Sequence, residues 1–151
     1  MSQATKQQMG AMAAADQLRP TLLGLARELR RERIGGVSPQ QVTLLVSIKY
    51  APGVTVGELA AEERVSTAAM SKRVSRLERG GLVARTRSEA DRRCIGLTLT
   101  EDGQRTLRRV RSRRTAWLAS RLGTLTPAEL AAVEAAAEPL ARLLEGGELP
   151  A

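Results

Sequence analysis

Three stretches of this chain read as helix starts in which a hydroxyl residue is followed, three positions later, by Gln or Glu: Ser38-Pro39-Gln40-Gln41, Thr55-Val56-Gly57-Glu58 and Thr126-Pro127-Ala128-Glu129. In such a capping box the hydroxyl accepts the third helical N–H, while the Gln or Glu side chain accepts the N–H of the hydroxyl residue. Each box fixes where a helix begins. Pro39 and Pro127 fall at the first helical position, where a missing N–H would have had no partner anyway. Composition agrees with a mostly helical chain. Ala, Leu, Arg and Glu abound, Phe is absent, and Tyr50 and Trp117 are the only aromatics.

Between these starts, apolar residues recur at helical spacing. Leu18, Leu22, Leu25 and Leu29 form one stripe of a first helix that starts or kinks at Pro20 and stops at Gly35-Gly36. Val42, Leu45 and Ile48 give the second helix its inner face. The third is short, burying Leu59 and Ala60. Only a break near Arg64-Val65 separates it from the next cap, Ser66, and two helices joined so tightly read as a helix-turn-helix. The fourth helix runs from Thr67 to about Arg79 with Met70, Val74 and Leu77 inward, and Gly80-Gly81 ends it.

There the period falls to two. Leu82–Arg85 begins one strand, and Ile95, Leu97 and Leu99 alternate with Gly96 and Thr98 in a second. Thr86–Arg92 is the polar loop of the resulting hairpin. Thr100 caps a long fifth helix carrying Leu107, Val110, Trp117 or Leu118, and Leu122. The last helix carries Leu130, Val133, Leu140, Leu143 and Leu144, with a bend expected at Pro139. The expected fold is mainly α with a small β-hairpin wing, in the order α1-α2-α3-α4-β-wing-β-α5-α6. Residues 1–10, polar and without a signal-peptide core, and residues 146–151 read as flexible tails.

Charge narrows the function. The chain carries +8, nearly all as Arg, and from Arg64 to Arg93 nine basic residues face three acidic ones. Arg bias can follow from a GC-rich genome, but this excess sits in one helix-hairpin unit that is expected to leave its charges unpaired, as a phosphate-binding surface should. On the fourth helix, Thr67, Ala68, Ser71, Lys72 and Ser75 fall opposite the apolar face. That small, polar surface with one long cation suits a major groove. An Arg-rich hairpin suits the minor groove, whose negative potential attracts guanidinium groups.

Other classes are poorly served. Without His and with Cys94 alone, the chain can build neither an internal disulfide, nor a His/Cys metal site, nor a His-based triad, and no cofactor is implied. Glu62-Glu63 look like a solvated helix face, which argues against an enzyme. No apolar run nears the roughly 20 residues of a membrane span, so no membrane is implied, and the single Cys suits a cytoplasmic protein.

Leu59-Ala60, Ser66-x4-Ser71-Lys72-x4-Leu77-Glu78, Gly81-Leu82-Val83, Asp91-Arg92-Arg93 and Leu97–Gly103 together resemble the multiple-antibiotic-resistance regulator family, MarR, over residues 15 to 145. The resemblance implies a homodimeric repressor, bacterial and nucleoid-associated when bound to DNA, on a palindromic double-stranded operator. Residues 11–37 and 101–145 would form a helical dimerisation region, and 38–100 the winged lobe. Ser66, Thr67, Ala68, Ser71, Lys72, Arg73 and Arg76 would meet the major groove or its phosphates. Arg93 would enter the minor groove, steadied by Asp91, with Arg85, Arg87 and Arg92 on the backbone. A phenolic, anionic or lipophilic small-molecule effector would release the DNA. The reactive Cys of the family's peroxide sensors, near the start of the chain, has no counterpart here, and Cys94 reads as a small strand residue. Arg105, Arg108, Arg109, Arg111, Arg113 and Arg114 either extend the phosphate footprint or pair across the dimer with Glu28, Glu32, Glu134 or Glu138. An architectural DNA-coating protein of low sequence preference is the alternative.

Overall fold

A computed structural model of the chain describes residues 3–31, 34–87 and 93–145. Their order is α1 (Gln3–Arg31), α2 (Pro39–Tyr50), α3 (Val56–Glu62), α4 (Thr67–Arg79), β1 (Val83–Arg87), β2 (Ile95–Leu99), α5 (Glu101–Leu122) and α6 (Pro127–Glu145). This is the mainly α, winged architecture expected. All three capping boxes form. Ser38 N donates to Gln41 Oε1 at 2.8 Å and Gln41 N to Ser38 Oγ at 3.3 Å. Thr55 and Glu58 exchange bonds of 2.8 and 3.1 Å, Thr126 and Glu129 of 2.8 and 3.3 Å.

The first helix departs from expectation. It begins at Gln3 and runs through Pro20, so residues 3–10 are helical rather than a frayed tail. Their polarity suggested a tail, but Gln, Ala, Lys and Met are good helix formers. Strand β1 likewise extends to Arg87, taking Thr86 and Arg87 from the expected loop. Residues 88–92, with Asp91 and Arg92, and residues 146–151 lie outside the described residues.

The chain divides into two compact units, residues 1–113 and 114–151, with the boundary inside α5. In the first, Leu45 and Ile48 of α2, Leu59 of α3, Met70, Val74 and Leu77 of α4 and Leu97 of β2 are fully buried. Each large apolar side chain so removed from water contributes about 1.5–3 kcal/mol. The second unit holds the rest of α5 and α6. Trp117 is half-buried there, with the Arg121 guanidinium 5.4 Å from its ring centre, and α6 has no buried residue.

Two features set the helix-turn-helix and wing. Between α3 and α4, Arg64 adopts the left-handed conformation at φ 53°. That turn lets Val65 N donate back to Ala60 O at 3.0 Å, the helix-stop geometry glycine usually provides. The wing strands pair antiparallel from Val83↔Leu99 to Arg87↔Ile95. On its other side β2 is tied to the α2–α3 corner: Leu97 N donates to Val54 O and Gly53 N to Leu97 O, both at 2.8 Å. The backbones approach so closely that a Cβ on Gly96 would lie 2.4 Å from Gly53 O.

Candidate nucleic-acid interface

α4 is positioned by its buried edge. With Met70, Val74 and Leu77 in the core, the 3.6-residue period turns Thr67, Ala68, Lys72 and Arg79 outward, and all four are exposed. Ser71 and Ser75 are half-buried between them. Ser66 caps the helix, its Oγ accepting from Ala69 N at 3.1 Å, which leaves the hydroxyl proton to donate elsewhere. The exposed surface is thus a shallow, small-residue face with Lys72 and Arg79 projecting from it. Arg79 lies seven residues after Lys72, two turns along the same face. The sequence reading counted its charge but did not place it in the site, although the spacing alone carries that signal.

Arg73 and Arg76 occupy a different flank. They line a cavity with Ser38, Gln40 and Gln41 at the start of α2. Arg73 is half-buried and Arg76 exposed. The helical period already separates Arg73 from the Lys72 face by a quarter turn or more.

The expected absence of internal pairing needs correction at Arg85. Its Nε donates to Glu78 Oε1 at 2.8 Å, joining the last turn of α4 to β1. That hydrogen bond is the main cause raising the guanidinium pKa, with the charge of Glu78 adding to it and burial opposing. Arg85 is therefore a guanidinium held in one pose by a carboxylate. Arg87 and Arg93 flank the loop, both exposed. The expected steadying of Arg93 by Asp91, and the backbone contact of Arg92, fall on residues outside those described.

On α5, Arg105 is held by Asp102 at 2.6 Å and Glu101 at 3.6 Å. Arg108, Arg109, Arg111 and Arg113 are exposed. Two of the acids expected to pair with this helix are taken locally, Glu28 by Arg31 at 3.6 Å and Glu138 by Arg142 at 2.8 Å. Among the described residues no group of three or more His, Cys, Asp or Glu side chains could hold a metal. Nor is any described helix long and apolar enough to cross a membrane.

A helix-turn-helix whose second helix turns a small polar face and two cations outward, followed by a hairpin carrying three exposed arginines, defines a winged helix-turn-helix DNA-binding protein. Its relatives say which kind. The model of the MarR family matches residues 35–93. A Bacillus subtilis (strain 168) protein, the HTH-type transcriptional repressor MdtR, is 34% identical over 128 residues, covering 79% of this chain and 83% of that protein. The structure of a MarR family protein from Bacillus stearothermophilus superposes with a TM-score of 0.63 at 26% identity, over 96% of this chain and 99% of that one. Streptococcus pneumoniae FabT, solved in complex with DNA, gives a TM-score of 0.54 at 25% identity, over 92% of this chain and 97% of that one. The chain belongs to the MarR family of transcriptional regulators, which are not enzymes.

Proposed function

We propose that this protein is a cytoplasmic, homodimeric repressor that binds a palindromic operator through two winged lobes. The observation that carries the reading is the cationic outward face of α4 beside the wing. Ser66, Thr67, Ala68, Ser71 and Lys72 meet the major groove, joined by Arg79. Arg73 and Arg76 take backbone phosphates on the α2 side. Arg93 enters the minor groove steadied by Asp91, while Arg85, Arg87 and Arg92 hold the flanking backbone. MdtR is a repressor by name, and FabT was solved on DNA. Both support the assignment.

What the single chain leaves uncovered supports the dimer. On α1, Leu18, Leu22 and Leu25 are each at least 40% exposed, and Leu143 and Leu144 of α6 are more exposed still. Apolar stripes at helical spacing are buried against something. In a symmetric dimer each copy covers the other's stripe. We assign the helical segments 11–37 and 101–145 to that interface and 38–100 to the DNA lobe. Release by a small phenolic, anionic or lipophilic effector rests on family membership, and a thermal-shift screen with phenolic acids and lipophilic amines checks it.

Binding to the chain's own promoter and to random DNA across a range of salt tests the central reading. A repressor should prefer its operator by on the order of 10³ or more. Near-equal affinities would establish an architectural DNA-coating protein instead.

A further inference from the structure

The run Thr100-Glu101-Asp102-Gly103, where α5 begins, takes no part in the DNA-facing surface. Thr100 Oγ1 accepts Gly103 N at 3.0 Å, as a helix cap does. A cap needs only a lone pair of that oxygen. Here the hydroxyl proton is committed as well, to Gly81 O at 2.6 Å, 19 residues back. The Thr100 backbone N–H donates to Leu82 O at 3.1 Å. Gly103 is buried against the same peptide, and a Cβ there would collide with the Leu82 carbonyl oxygen. The Gly81-Leu82 turn is closed onto α4 in the same way: Gly81 N donates to Glu78 O at 2.9 Å and Leu82 N to Leu77 O at 3.0 Å. The Glu78–Arg85 pair ties that end of α4 to β1. Short hydrogen bonds to backbone carbonyls thus link Leu77, on the buried edge of α4, to the first turn of α5.

Lever arm makes this joint matter. α5 has 22 residues, or about 33 Å of helix. A pivot of roughly 10° at its start would carry its far end about 6 Å, more than the roughly 3.4 Å of one base-pair step. We propose that Thr100 is a positioning residue for operator recognition. Its hydroxyl makes the end of α4 and the first turn of α5 one rigid body, and so fixes the half-site spacing that the dimer accepts. In a dimer held through α5, play at this joint becomes play in the distance between the two recognition helices, and half-site spacing is read by that distance. The spacing role rests on the homodimer reading above, whereas the rigid joint does not.

Three substitutions separate the joint from the cap. Thr100→Asp keeps an oxygen for Gly103 N, since Asp caps helices as well as Thr, but at neutral pH it has no proton for Gly81 O. Thr100→Ser keeps both bonds, and Thr100→Val loses both. The first measurement needs no DNA. Residual dipolar couplings of the backbone N–H groups of α4 and of residues 101–113 are recorded by NMR on the full chain. In the parent and in Thr100→Ser one alignment tensor should fit both helices. In Thr100→Asp and Thr100→Val the two helices should need separate tensors, and a single tensor for either variant overturns the proposal. Duplexes carrying the palindrome of the chain's own promoter, with the spacer between half-sites one base pair longer or shorter, then read the consequence. The parent and Thr100→Ser should discriminate against the altered spacers. In Thr100→Asp the discrimination ratio should shrink by about 2- to 10-fold, the worth of one hydrogen bond. The added charge weakens all duplexes alike and cancels in the ratio. An unchanged ratio overturns the role in recognition. A parent indifferent to spacing refutes the palindromic-operator reading instead, and the couplings still decide the joint.

Discussion

Replacing Gly96 by alanine sets two effects of opposite sign against each other. Glycine within a strand costs roughly 0.5–1 kcal/mol relative to alanine, through the extra freedom it gives the unfolded chain. Gly96 is not among the glycines with positive φ, so its backbone would accept a side chain. On that ground alone the variant would be more stable. The contact decides otherwise. The added Cβ would lie 2.4 Å from Gly53 O and 2.7 Å from Gly53 C and Cα. Backbone atoms cannot swing aside as the tip of a side chain can. Relief must separate β2 from the α2–α3 corner, at the expense of the two 2.8 Å bonds that Leu97 makes with Gly53 and Val54. At about 0.5–1.5 kcal/mol each, those bonds outweigh the backbone gain. The expected result is a net loss of about 1–2 kcal/mol, or a Tm lower by about 2–8 °C for a chain of this length. Urea and thermal unfolding at fixed protein concentration read it. Operator affinity should fall as well, because the wing base loses its support. A Gly96→Ala protein more stable than the parent would refute the close approach and the tethering of the wing.

Arg64→Gly should raise stability by about 0.5–1 kcal/mol. It removes left-handed strain of about 1–2 kcal/mol while loosening the unfolded chain, and a lowered Tm would contradict the turn described. Glu78→Gln should cost under about 1 kcal/mol, since the ion pair to Arg85 is partly exposed, and the cost should shrink in high salt; a salt-independent loss would show that packing, not charge, holds the pair. Lys72→Ala should weaken operator binding and relax one operator position, with about 1–3 kcal/mol lost if it reads a base edge, and gel shifts indistinguishable from the parent would refute its place in the groove. Glu129 accepts the Thr126 backbone N–H and then its hydroxyl, which together hold its pKa below the usual Glu range. Because the folded pKa is the lower one, this cap is at full strength above the ordinary Glu value and fades as pH falls through the lowered one. Carboxyl NMR should show a depressed midpoint that Thr126→Ala raises only in part, because the variant removes the hydroxyl but keeps the backbone N–H.

The helix starts were legible in the sequence because a capping box is local: both partners lie within four residues, and their types declare the geometry. The wing was legible because its period changes at a glycine pair. The Glu78–Arg85 pair was not, since the two residues are seven apart on elements of different period, and only the Gly80-Gly81 turn brings them together. The contact of Gly53 with Gly96 was hidden for a stronger reason. It joins backbones more than forty residues apart and leaves no side-chain pattern. The split of α4 into an outward polar face and an α2 flank lay in between. The helical period separates Arg73 from Lys72, but only the position of α2 gives that flank a meaning. The helical extension of α1 to Gln3 shows the opposite error, in which polarity was read as lack of structure.

The sheet has two pairings but one open side. β2 is covered by β1 on one edge and by Val54 on the other, which leaves β1 as the outer strand among the described residues. Such strands invite pairing with another molecule, and proteins blunt them with charge. β1 reads Val-Ala-Arg-Thr-Arg, and its last three residues are exposed. Arg85 and Arg87 therefore place charge on that edge, which disfavours edge-to-edge association. Neutralising both should leave a protein that not only grips DNA less well but also precipitates at concentrations the parent tolerates.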